Sequence, residues 1–479
     1  MCTGPGTSDG DRRQGVRGVQ ELTGLDARFL YSETPTAHMH TIKVAVVDVR
    51  DRAVELTPQL FRSLLESRLD RMPPLRWRVV PVPHRLGLPV WVEDPAFDLD
   101  RHIRWRTARA PGGSRELAAI ISEIAGSPLD RDRPLWELTV VDGLADHEIA
   151  FVVKLHHALA DGGAAVALLE NAFVIDSDSA IVQSACSEPL PSSRALYRQA
   201  AQSQARRLAQ LPQFARESVH GLRAARREDR EATMPLPRPF STSRTSVNVS
   251  LTPERTFAMT PLPLRDVRAV KQAFGATFND VFLAVCGGAL RRYLLRGHEL
   301  PRKGLLAAVP LGTRVGQRRL SGNHVDNLIL SLHTELSDPV ERLRAVHDMT
   351  RAARRVRTAL GTEMFEYRAG LTPLHLYPLG VRLWGRTHLA DRMRPPVNVI
   401  ASNVAGPRLR LELDGGVVTR LWSVGPILEG IGVNITAWSY ADALDVSVLG
   451  CPASLPDPWA LTADLEAALD ELRSRVDRG

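Results

Sequence analysis

The stretch Leu155-His156-His157-Ala158-Leu159-Ala160-Asp161-Gly162-Gly163 governs how the rest of the chain is read. An apolar run, Ile149–Leu155, ends in two histidines. A tight loop then delivers Asp161 and two glycines at the start of Gly162–Val174, a segment rich in alanine and leucine that reads as a helix. The apolar run forms a strand pair with Glu137–Val141, joined by Asp142–His147. Successive side chains of a strand alternate, so His156 and His157 point to opposite faces. His157 shares its face with Leu155, Val153 and Phe151 and is expected to aim into a desolvated interior. There an imidazole with an ordinary pKa near ~6.5 is neutral at pH 7 and can take a proton from an attacking group. Asp161 suits a structural role: ionised and paired with an arginine, it holds the loop and the imidazole in position. Gly162 and Gly163 permit close backbone approach at a helix N-terminus.

Outward from this loop, strands and helices mix in both halves. Ile42–Val49, Arg76–Val82 and Val90–Val92 read as strands in the first half, with helices at Leu60–Leu69 and Glu116–Ile124. In the second half Leu305–Pro310, Leu328–Leu332, Val397–Asn403 and Leu444–Val448 read as strands. Helices are expected at Leu264–Phe274, Asn279–Leu295, Pro339–Leu360 and Pro458–Arg475. Two α/β layers of similar size facing each other are implied. The expected organisation is a disordered N-terminus (1–20), a first subdomain carrying the histidine pair (21–175), a basic helical linker (176–245) and a second subdomain (246–479). The linker contains the helical stretch Arg194–Ala232, interrupted near Pro212.

At 479 residues the chain exceeds what one hydrophobic core supports. Its 44% hydrophobic and 24% charged residues are an ordinary globular balance. No run approaches the ~18–20 apolar residues of a membrane span, and Met1 to Val19 lacks the apolar core of a signal peptide. Four scattered cysteines favour neither a disulfide framework nor a zinc site, and a cytosolic location follows. The formal net charge is +7, and Arg194–Ala232 carries nine arginines against four acids. With aromatics at 5% and no recognisable module, nucleic acid is excluded as a partner. A solvated helix face and attraction to anionic lipid headgroups remain as readings of the basic stretch.

Two other chemistries compete for the histidine loop. Adjacent strand histidines diverge, so His156, His157 and Asp161 do not readily share one metal ion. A serine triad needs a G-x-S-x-G elbow, which the sequence lacks. A base without an enzyme nucleophile remains, which suits direct transfer between two bound substrates.

His156-His157-Ala158-Leu159-Ala160-Asp161-Gly162 resembles the HHxxxDG motif of the coenzyme A-dependent acyltransferase superfamily. Leu25-Asp26-Ala27, Met39-His40, Pro134-Leu135-Trp136, Asn279-Asp280, Gly322-Asn323, Ser402-Asn403-Val404-Ala405-Gly406-Pro407 and Asn434-Ile435-Thr436 follow in the order of one branch. That branch is the bacterial wax ester synthase/diacylglycerol acyltransferase family, and the resemblance runs from about Glu21 to the C-terminus. Ala405 replaces the usual proline, and Thr41-Ile42 and Phe278 also depart from the family pattern.

The resemblance implies two chloramphenicol-acetyltransferase-like subdomains with the active site in a tunnel between them. It implies acyl transfer from acyl-CoA to diacylglycerol or a long-chain alcohol, with no metal or organic cofactor. His157 is then the general base, His156 a supporting residue and Asp161 an orienting one. Asn279 is either the oxyanion donor or a helix N-cap. Gly162, Trp136, Asp280 and Asn403 are candidate substrate contacts, with packing as the competing role of Trp136 and capping or pairing at the helix start as that of Asp280. Because the acyl chains are insoluble, peripheral contact with the inner membrane face or a lipid-droplet surface is expected. An acyltransferase of the same superfamily using another acceptor or a carrier-bound donor is the alternative, as is a non-catalytic acyl-CoA or lipid binder.

Overall fold

The computed structural model describes residues 19–476 apart from 53–54, 174–188, 232–233, 313–318, 361–375, 408 and 414. Runs dense in β-branched residues form the centres of two six-stranded sheets. The first is ordered β12 (Glu412–Leu413), β13 (Gly416–Val424), β2 (His40–Asp48), β7 (Glu148–His156), β6 (Trp136–Asp142), β5 (Ile103–Thr107). The second is ordered β10 (Val325–Ser331), β9 (Leu306–Gly312), β11 (Val399–Ala405), β14 (Asn434–Tyr440), β15 (Ala443–Gly450), β8 (Thr256–Pro263). A small outer sheet joins β1 (Val19–Glu21), β4 (Val90–Glu93) and β3 (Trp77–Val80).

Among the described residues, ten α-helices flank the sheets: α1 (Gly24–Ser32), α2 (Pro58–Glu66), α3 (Ser114–Gly126), α4 (Gly162–Phe173), α5 (Ser193–Glu231), α6 (Leu264–Ala273), α7 (Phe278–Arg296), α8 (Pro339–Leu360), α9 (Leu376–Arg386) and α10 (Pro458–Val476). The α7 helix is the buried axis of the second lobe, with Val281 to Leu290 enclosed. Its pair of glycines sets how close its neighbours come. A Cβ on Gly287 would stand 2.3 Å from the Leu332 carbonyl oxygen, and one on Gly288 would stand 2.9 Å from Ala468 on α10. No single described helix is long and apolar enough to cross a membrane; α6 and α7 pass that test only as a pair bent by 105°.

The structure departs from the expected organisation in three places. Val19 and Gln20, expected to be disordered, belong to β1, whereas 1–18 lie outside the described residues. The expected break at Pro212 is absent, and α5 runs through it. Most of the helix surface there is exposed, so water can satisfy the carbonyl that the proline leaves free. This helix straps the molecule. Ser203 and Arg207 both bind Glu21 at the end of β1, and further along a Cβ on Gly221 would meet the Leu360 carbonyl oxygen of α8 at 2.8 Å. Finally, the second half does not keep to itself: β12 and β13 complete the first sheet, with Ser423 opposite Lys43 of β2.

Replacing Gly287 with alanine tests the close approach. Helix propensity alone favours alanine by ~1 kcal/mol, but overpacking against a backbone carbonyl costs ~1–3 kcal/mol. Thermal unfolding of Gly287→Ala should show net destabilisation.

Candidate active site

The end of β7 is held from three sides. Met39 at the foot of β2 accepts a hydrogen bond from His157 N (2.8 Å), and Leu135 before β6 accepts one from His156 N (3.0 Å). The loop that follows is stitched to the second half of the chain. Gly322 N donates to the Leu159 carbonyl (2.8 Å), and Asp161 N donates to the Gly322 carbonyl (3.3 Å).

The two imidazoles diverge, as alternation requires, and so do their surroundings. His156 is fully enclosed, with T-shaped packing against His40. Its Nδ1 accepts a hydrogen bond from Ala158 N (3.0 Å), which holds the loop. Burial, and then the nearby Arg131 charge, keep this ring neutral. His157 is half-buried, and burial is the largest influence on its ring. Phe29 of α1 stacks on it at 4.1 Å, nearly parallel.

Asn323 decides which nitrogen of His157 carries the proton. Its Nδ2 donates to Asp26 Oδ1 (2.7 Å) and to the His157 carbonyl (2.7 Å), both acceptors. Its Oδ1 therefore faces His157 Nδ1 at 2.9 Å and accepts a proton-bearing nitrogen. Nε2 keeps its lone pair and has no hydrogen-bond partner among the described residues. Asp26 is in turn bonded by Thr23 of its own capping box, and burial raises its carboxyl above the usual range despite these bonds.

Asp161 is an anchor. It caps α4 by accepting from Ala164 N (3.0 Å), accepts from His324 N (3.0 Å), and pairs with Arg319. Burial alone would raise this carboxyl, but the Arg319 guanidinium and the two amides outweigh it and hold the group below its ordinary value. Arg319 also donates to the Ser321 and Gly322 carbonyls, so one cation organises the loop from the opposite lobe.

Lys43 is a second cation near the loop. It is 4% exposed, donates to Ser423 of β13, and lies 5.0 Å from the centre of the Trp438 ring of β14. Burial lowers its pKa to about 7, with Asp161 pulling the other way. Burial and then the Lys43 charge push His157 below its ordinary value. Both effects favour a neutral imidazole.

The other residues singled out from sequence lie as follows. Trp136 is enclosed behind the loop, its indole donating to the Leu75 carbonyl (2.7 Å) and stacking on His102, which are packing contacts. Asp280 is fully buried. It belongs to the Thr277 capping box and accepts from Thr350 (2.6 Å), with His347 at 2.8 Å, tying α7 to α8. Thr277 is the N-cap of α7, which removes capping as the role of Asn279. Asn279 sits half-buried in the first turn, and the group that the second half brings to His157 is Asn323. Gly162 leaves room for β11, since a Cβ there would meet Val404 at 3.0 Å, and Asn403 is half-buried on the same strand. Two surface cavities of about 280 and 260 Å³ lie on the outer side of the first lobe, lined by groups such as Arg76, Asp94 and Arg133, and include none of these residues.

Asp26 and Asn323 lay inside sequence landmarks without an assigned role, and Arg319, Lys43 and Phe29 carried no signal in the sequence. The pairing of Lys43 with His157 is testable by NMR titration of the imidazole. Lys43→Met removes a positive charge that disfavours the imidazolium, so the His157 pKa should rise, and an unchanged or lower value would count against the coupling.

Comparison with known proteins agrees with this architecture. Residues 22–282 match the model of the wax ester synthase/diacylglycerol acyltransferase catalytic domain, and 321–473 match the model of the WS/DGAT C-terminal domain. A Mycobacterium tuberculosis H37Rv protein named "Putative diacyglycerol O-acyltransferase Rv0221" is 39% identical over 95% of this chain and 96% of its own length. The wax ester synthase/diacylglycerol acyltransferase from Marinobacter aquaeolei VT8 superposes with a TM-score of 0.66 at 27% identity, covering 96% of this chain and all of that one. The first condensation domain of the CDA synthetase shares the fold alone, with a TM-score of 0.58 at 15% identity and 96% of each chain covered. A matching catalytic-domain model over more than half of its length and full-length relatives together show that the chain belongs to the wax ester synthase/diacylglycerol acyltransferase family.

Proposed function

We propose that this enzyme moves a long-chain acyl group from acyl-CoA to the hydroxyl of diacylglycerol or a long-chain alcohol, with His157 as general base. The observation that carries the reading is the Asp26–Asn323–His157 chain of hydrogen bonds, which commits Nδ1 as a donor and leaves Nε2 as the free base. In the proposed step Nε2 takes the hydroxyl proton as the oxygen attacks the thioester carbonyl. The tetrahedral intermediate collapses by breaking the C–S bond, and the imidazolium returns the proton to the departing thiolate. Ester and free CoA leave, and no acyl-enzyme forms. The thioester is already activated, so this step invokes no cofactor.

A partly covered ring is well placed to act as this base. Burial and then Lys43 favour its neutral form. Asn279 is the proposed donor to the oxyanion, since Thr277 already satisfies the helix cap.

In a folded His157→Ala variant, thiol release from palmitoyl-CoA in the presence of diacylglycerol or hexadecanol should fall by at least the ~10²–10⁴-fold typical of a general base. Near-normal turnover would refute the assignment. Asn323→Ala should lower kcat on the order of 10²-fold through a misplaced ring. Asn279→Ala should cost ~10²–10³ in kcat with little change in melting temperature. A lowered melting temperature with intact kcat would assign Asn279 to structure instead. Thin-layer separation of products from competing diacylglycerol and hexadecanol reads the acceptor preference directly.

A further inference from the structure

Helix α9 carries an outward stripe that the site does not use. Leu379 and Leu383 are each 59% exposed. Arg382 and Arg386 are exposed beside them, and the spacing of the four residues places them on one face. Just beyond the helix, Arg392, Met393 and Arg394 continue the surface, Met393 being 45% exposed. None of these four arginine side chains has an ion-pair or hydrogen-bond partner among the described residues. Two acids near this segment have partners of their own, although the Asp391 side chain is 41% exposed. Asp391 accepts from Ser250 N (2.7 Å) and sits 3.8 Å from His388, while Glu429 binds Leu251 N (3.0 Å) and Thr36.

The opposite side of α9 docks on α1. Tyr377 Oη meets Ser32 Oγ at 2.8 Å, and the Arg28 guanidinium lies 5.4 Å from the centre of the Tyr377 ring. The α1 helix also supplies Phe29, stacked on His157, and Asp26, bonded to Asn323. The stripe is thus one helix removed from the candidate base.

We propose that α9 and the Arg392–Arg394 segment are the face by which the protein seats on an anionic lipid surface. The leucines enter the headgroup boundary, and the four arginines meet phosphates. The charge pattern selects this occupant: exposed apolar side chains ringed by exposed cations complement a negatively charged leaflet. The basic helix α5 is a weaker candidate, because its arginines are interleaved with Glu217, Glu228, Asp229 and Glu231, and Arg207 is already bound to Glu21. The purpose of this seating rests on the acyl-transfer reading: an insoluble acceptor then enters beside α1.

The test uses the full-length protein and its sedimentation with phosphatidylcholine vesicles, with and without phosphatidylglycerol. The unaltered protein should bind preferentially to vesicles containing phosphatidylglycerol. The pairs Leu379→Asp/Leu383→Asp and Arg382→Glu/Arg386→Glu should each weaken that binding on the order of tenfold or more. Both variants should keep wild-type thiol release from palmitoyl-CoA with a water-soluble alcohol and lose it with diacylglycerol held in vesicles. Wild-type vesicle binding by both variants would overturn the proposal. So would equal binding of the unaltered protein to neutral vesicles, or loss of binding only in an Arg216→Glu/Arg223→Glu variant of α5. Failure of the acyl-transfer reading is separately visible, as absent thiol release with every alcohol while vesicle binding persists.

Discussion

The carboxylate of Asp161 is where the two halves of the molecule are pinned together. One oxygen caps α4 in the first lobe, and the other takes Arg319 and the His324 amide from the second. A buried acid with this many donors stays ionised, and removing one partner from such a pair leaves an uncompensated charge in the interior. Gly322 and Asn323 lie between those two contacts, so the same anchor sets the position of the amide that fixes the His157 tautomer. Loop geometry, lobe contact and base chemistry therefore depend on one ion pair.

Around that anchor the electrostatics give the two histidines different roles. His156 is sealed and holds the loop, whereas His157 is half-buried and its Nε2 has no partner among the described residues. Lys43 lies at a crossing of β2, β13 and β14, held by Ser423 and Trp438 rather than by a carboxylate. A buried cation without a formal counter-ion is costly, and its lowered pKa of about 7 reflects that cost. Burial first, and then its field, lower the pKa of the neighbouring imidazole.

Local features were legible in the sequence because they close within a few residues. The strand, turn and helix from Ile149 to Phe173 stand where periodicity places them, and α8 has the bounds read from the chain. What was not legible depends on long-range pairing. Asp26, His157 and Asn323 meet only after both lobes have folded, and no spacing rule links them. Asp280 lies three residues after Thr277, a capping spacing, and the capping or pairing role expected for it at the helix start is the one it has locally. The strand β13, with its charged Arg420 and its bulge, has no clean alternation, and its partner β2 lies at the other end of the sequence.

That last pairing constrains how the chain is made. Lys43 and Ser423 are 380 residues apart, and β13 covers the edge of β2. At ~5–20 residues per second, the ribosome delivers the covering strand roughly 20–80 s after the strand that needs it. Throughout that interval the nascent first lobe presents an open, apolar edge, the kind of template on which strands of other chains add. The hairpin Glu412–Val424 thus acts as a late clasp, and cutting the gene between the lobes yields a first half that cannot close its own sheet.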